Sequence, residues 1–177
     1  MSTKSPQLRI PLRGELLVKL TQRYPSVDTE VIDIFNTLKS VSSDINDRLI
    51  KRLEVYGLTE GKFYVLAYLH AEELLGHANP RPSDIADNLG VTRATVTGLL
   101  DGLDRADLIT RNSGGRDRRT LTISMSEKAR WFMEEILLSL DNFLRPFVAD
   151  ALSPDEQASF RACLMKVEAH LRDVIQR

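Results

Sequence analysis

The chain has 177 residues, 42% hydrophobic and 28% charged, enough to bury a core without disulfides or metals and too mixed for a fibrous or disordered protein. Its 24 basic and 25 acidic residues leave a formal net charge of −1, which excludes a polyanion binder that works through global basicity. A single cysteine, Cys163, excludes an internal disulfide framework; with no apolar run as long as a membrane span, the expected setting is the reducing cytoplasm.

Residues 1–25 read as a basic arm. Lys4, Arg9, Arg13, Lys19 and Arg23 stand against Glu15, between Pro6, Pro11 and Pro25, with a short helix expected over Gly14–Tyr24. Lys19 interrupts Leu16–Val18, so no secretory signal is expected. From Asp28 to Tyr56, Val31, Ile34, Phe35, Leu38, Val41, Ile45, Leu49 and Leu53 recur three and four apart, which predicts a long amphipathic helix ended by Gly57. A second helix is predicted from Leu58-Thr59 through Phe63, Val65, Leu66 and Leu69 towards Leu75, with Gly76 as its stop.

Two short helices follow, Ser83–Asn88 and Arg93–Ala106, joined by Leu89-Gly90-Val91 and capped by Ser83 and Thr92. Ile85, Ala86, Leu89, Val91, Val96, Leu99, Leu100 and Leu103 are the expected core positions. After Asp107 the period falls to two, predicting strands at Leu108–Arg111 and Arg119–Met125 around an arginine-rich tip, Asn112–Arg118. Phe132, Ile136, Leu140, Phe143 and Phe147 then mark a helix that Pro146 should bend or end. Ser153-Pro154-Asp155-Glu156 has the form of a capping box, and Phe160, Leu164, Val167, Leu171 and Val174 make a short heptad seam behind it. Cys163, beside that seam, reads as a small buried apolar residue.

The fold class expected is mainly α with a small β-hairpin wing (α+β): a winged helix-turn-helix at 58–125 and a helical dimerisation region at 26–57 and 126–177. Two short helices about a tight glycine turn form a helix-turn-helix, whose second helix suits a major groove. Thr92, Arg93, Thr95 and Thr97 offer hydroxyls and a guanidinium for phosphates and base edges. In the wing, four arginines (Arg111, Arg116, Arg118, Arg119) stand against Asp117, a local excess suited to a minor groove.

Pro82–Thr97 and the Asp117-x-Arg119 wing, with Thr120–Met125 and Ser126 behind it, resemble the MarR family of transcriptional regulators; the resemblance covers roughly residues 30–175. It implies a homodimeric, sequence-specific regulator, more often a repressor, on a pseudo-palindromic operator of double-stranded DNA. The DNA-contacting residues would be Ser83, Thr92, Arg93, Ala94, Thr95, Thr97, Arg116, Asp117, Arg118 and Arg119, with Asp117 bracing the wing. It also implies release by a small aromatic or anionic effector, with Arg48, Tyr64, Tyr68, His70 and Trp131 as the candidate ligand set. Aromatics at helical spacing are usually core, so Tyr64, Tyr68, His70 and Trp131 read first as core and only second as a ligand set.

No metal or other cofactor is expected, since His70, His77 and His170 are dispersed, and no phosphate loop or nucleophile motif suggests an enzyme. The competing reading is a winged-helix protein-interaction module without DNA binding. Asp84, Asp87, Asp101, Asp104 and Asp107 favour it, because seven arginines barely exceed six aspartates over residues 81–119.

Overall fold

The computed structural model describes residues 15–113 and 121–175, without the Ile175 side chain. The chain divides into two compact units, residues 1–60 and 61–177. The first unit holds α1 (Glu15–Arg23) and α2 (Thr29–Glu54). Asp28 caps α2, its carboxylate accepting from the N–H groups of Glu30 and Val31 at 3.1 Å each. At the other end Gly57, at φ 67°, turns the chain out of the helix. Its N–H and that of Leu58 bond back to Glu54 and Leu53. The apolar face of α2 is buried only at its end: Leu53 is fully covered, while Val31, Ile34, Phe35, Leu38 and Val41 are exposed.

The second unit contains α3 (Glu60–Leu74), α4 (Pro82–Leu89), α5 (Arg93–Asp104), β1 (Ile109–Ser113), β2 (Leu121–Met125), α6 (Glu127–Val148) and α7 (Pro154–Ile175). Its core is a continuous apolar set: Phe63, Val65, Leu66 and Leu69 of α3, Ile85 and Ala86 of α4, and Val96, Leu100 and Leu103 of α5. Ile109, Ile123 and Met125 of the hairpin join them, with Ala129, Met133, Ile136 and Leu140 of α6. The strands pair antiparallel, Ile109 opposite Met125 and Ser113 opposite Leu121. The Ile123 N–H reaches back to the carbonyl of the buried Pro80 at 2.9 Å, tying the hairpin to the segment before α4.

The structure corrects several sequence expectations. Helix α4 begins at Pro82, with Arg81 rather than Ser83 as its N-cap: proline's fixed φ suits the first helical position, and the Asp84 carboxylate accepts the Arg81 N–H at 2.9 Å. Val91, expected in the core, is exposed in the turn just after Gly90. Helix α5 stops two residues before Ala106, because Asp107 adopts φ 57° and the Leu108 N–H closes on the Leu103 carbonyl. Asn112 and Ser113, expected in the wing tip, continue β1. Pro146 sits inside α6, which ends two residues later at Val148. Cys163 is exposed, and so is the seam from Phe160 to Val174, because none of the described residues of this unit covers that stretch of α7.

The capping box of α7 forms as expected. Glu156 accepts the Ser153 N–H at 2.9 Å and the Ser153 hydroxyl at 2.8 Å, and these bonds hold its carboxyl below the usual range. Among the described residues no helix is long and apolar enough to cross a membrane.

Candidate nucleic-acid interface

Helices α4 and α5 pack on each other and meet at Gly90, whose φ of 64° makes the tight turn between them. Val96, Leu100 and Leu103 fix the inner face of α5. The outer face then presents Arg93, Ala94, Thr95, Thr97, Gly98 and Asp101, all exposed. The Thr92 hydroxyl caps the helix, accepting the Thr95 N–H at 3.1 Å and sharing a 2.8 Å hydrogen bond with the Thr95 hydroxyl. The Thr97 hydroxyl donates to the Arg93 carbonyl at 2.9 Å. All three threonines are exposed. Ser83 is half-buried on α4 and donates to Asp84 at 3.2 Å.

The charge at the start of α5 is unusual for this chain. Among the described residues every other helix carries an acid in its first turn: Glu15, Glu30, Glu60, Asp84, Glu127 and the pair Asp155 and Glu156. Helix α5 has none and opens instead on Arg93. A cation there opposes the helix dipole, so the arrangement lowers the stability of the free helix while concentrating positive potential at its end.

The acids on this face are largely engaged. Arg111 of β1 bonds to Asp101 and lies 3.2 Å from Asp104 through its Nε, clamping the wing strand to α5. The guanidinium side chain is 31% exposed and the two carboxylate side chains 53% and 49%. Asp84 is held below its ordinary carboxyl range, first by the Arg81 N–H and then by Ser83 and the Arg81 guanidinium. Arg111, counted with the wing cations from sequence, is therefore an internal partner. Asp101 and Asp104 lie three residues apart on α5, but only the tertiary structure brings Arg111 to them. The remaining wing candidates, Arg116, Asp117, Arg118 and Arg119, lie outside the described residues.

The base of the wing is anchored to α6. The Ser126 hydroxyl donates to the Asp107 carbonyl at 2.7 Å while accepting the Ala129 N–H at 3.1 Å, and Lys128 donates to the Ala106 carbonyl at 2.8 Å.

The candidate ligand residues lie on three helices, α2, α3 and α6. Tyr64 and Tyr68 share one face of α3, a turn apart. His70 lies about 200° beyond Tyr68 around the same helix. Burial, then Glu72 and Asp84, push the Tyr68 hydroxyl upward in pKa, and His70 carries a buried Nδ1 without a hydrogen-bond partner among the described residues. Trp131, on α6, is 62% exposed. Arg48 is exposed on α2, in the other unit.

A family model described as MarR family matches residues 56–120. The HTH-type transcriptional repressor YetL of Bacillus subtilis is 30% identical over 66% of this chain and 68% of its own length. The HTH-type transcriptional regulator PecS of Dickeya dadantii is 30% identical over 83% of this chain and 87% of its own. Among solved structures, the MepR–DNA complex of S. aureus is similar with a TM-score of 0.63 and 26% identity, over 77% of this chain and 94% of that one. The winged helix-turn-helix geometry and these likenesses agree: this chain belongs to the MarR family of transcriptional regulators.

Proposed function

We propose that the chain is a homodimeric, sequence-specific DNA-binding repressor of a pseudo-palindromic operator, with residues 58–125 reading DNA and residues 26–57 and 126–177 forming the dimer. The observation that carries this reading is the start of α5, where Arg93 and an acid-free first turn replace the acid found in the first turn of every other described helix. A free helix gains nothing from that arrangement; a phosphate opposite it does. The competing protein-interaction reading rested on surface acids, and three of them, Asp84, Asp101 and Asp104, are engaged by arginines of the chain itself.

Dimerisation is supported by two apolar faces that the chain leaves open. Val31, Ile34, Phe35 and Leu38 are exposed on α2, and Phe160, Leu164, Val167 and Leu171 on α7, where they line a groove of about 540 Å³ with Val148. Exposed apolar surface of this extent marks an interface. Repression is supported by the name of the similar YetL, and DNA binding by the solved complex of the similar MepR. Effector release belongs to the same reading: a small anionic aromatic such as benzoate should lower operator retention, and Tyr68→Phe should blunt that response.

The test is fluorescence anisotropy on an operator selected from random DNA. Arg93→Ala should lose roughly tenfold in affinity, with thermal stability unchanged or raised. Arg119→Ala should weaken binding while the protein stays folded. Wild-type protein that shows no DNA retention even at low salt would return the protein-interaction reading to first place.

A further inference from the structure

Glycine inside a helix lowers its stability relative to alanine, so a helical glycine calls for a reason. For four of the six described glycines a reason lies within the chain. Gly57, Gly76 and Gly90 take positive φ. A Cβ on Gly61 would lie 3.0 Å from a methyl of Leu99, whereas one on Gly102 would meet only the flexible end of Lys62, 2.7 Å from its Cε. Gly98 differs from all of them: it has ordinary helical φ, and a Cβ built there meets nothing within 4 Å.

Its place in the helix explains the empty surroundings. Gly98 is two residues from both Val96 and Leu100, the fully buried residues of α5, which puts it about 160° round the axis from each. It is exposed, one turn beyond Ala94 and next to Thr97. The side-chain-free surface therefore faces outward from the middle of the helix that our functional reading places in the major groove.

We infer that Gly98 is a specificity-determining position of the DNA interface, where base-pair edges of the major groove come into van der Waals contact with the bare helix backbone. The inference rests on the DNA-binding reading above. Arg93 and the start of α5 supply phosphate attraction, which is blind to sequence. The missing Cβ at Gly98 lets the second turn of the helix approach the groove floor, where sequence is read. A side chain there would hold the helix away from the bases while leaving the peripheral phosphate contacts in reach.

The experiment compares wild type, Gly98→Ala and Gly98→Leu as full chains at equal protein concentration, since a dimer's melting temperature depends on concentration. Gly98→Ala should raise the melting temperature by about 2–4 °C, as expected for alanine at an open helical site in a chain of this size. The same variant should lose about tenfold or more in affinity for the selected operator, with little change on random-sequence DNA of equal length, and Gly98→Leu should lose more. Opposite signs in stability and specific binding are the signature, since a merely structural role moves both together. Undiminished operator affinity in Gly98→Ala would overturn the inference, and so would an equal loss on operator and random DNA. Wild-type protein that does not prefer its operator to random DNA would fail the functional reading itself, which separates the two failures.

Discussion

Replacing Arg111 by alanine tests whether the wing strand and the recognition helix act as one electrostatic unit. In the folded chain Arg111 pairs with both Asp101 and Asp104 of α5, halving their combined charge. The groups are half-exposed, so each pair contributes about 0.5 kcal/mol to stability, and loss of the partly covered arginine stem brings the total to about 1–2 kcal/mol. A second effect falls on binding. The variant takes one positive charge per subunit from beside Asp101 and Asp104, on the face proposed to meet the phosphates. At about 8 Å in water that charge is worth roughly 0.5 kcal/mol, so a dimer loses about 1 kcal/mol, or about fivefold in affinity. Anisotropy titrations at several salt concentrations read this directly, and the loss should shrink as salt rises. Adding Asp101→Asn and Asp104→Asn to Arg111→Ala should restore the affinity to the wild-type level or above, although the clamp stays broken. If the triple variant binds no better than Arg111→Ala, the carboxylates do not oppose DNA and the charge-masking argument is wrong.

Asp107→Gly should stabilise the fold by up to about 1 kcal/mol. Residue 107 holds a left-handed conformation, which glycine adopts without strain, and the change removes an anion near the negative end of α5; a lower melting temperature would contradict this. Asp84→Asn should cost about 1 kcal/mol at neutral pH, because Asp84 accepts the Arg81 N–H at the start of α4. With its folded pKa depressed below the ordinary 3.8, the wild-type carboxylate contributes in full above pH 3.8. That contribution is lost as pH falls through the depressed value, so the two melting curves should converge in acid. Curves that stay parallel down to low pH would show that Asp84 does not stabilise through its charge.

Most of the element order was legible in the sequence, because local chemistry sets it. The period of α2, the Gly57, Gly76 and Gly90 stops, the Thr92 cap and the Ser153–Glu156 box all act within a few residues along the chain. Misplaced boundaries have equally local causes: Pro82 and Asp84 compete with Ser83 for the start of α4, and Asp107 performs a turn usually given to glycine. Cys163 was misplaced for a different reason. Heptad spacing shows that α7 has an apolar face, but not that the same chain covers it, and here the seam is open.

The excess of arginine in the wing was read from sequence as a sum of charges. Pairing requires proximity, and only the folded hairpin brings Arg111 across to Asp101 and Asp104, turning one presumed DNA cation into a clamp and two presumed deterrents into groups that share one counter-charge. By itself, then, the sequence determined the secondary elements and the family, since caps, periods and motifs are short-range patterns. The tertiary structure decided which charges remain available on the surface, because neutralisation depends on distances between residues far apart in the chain.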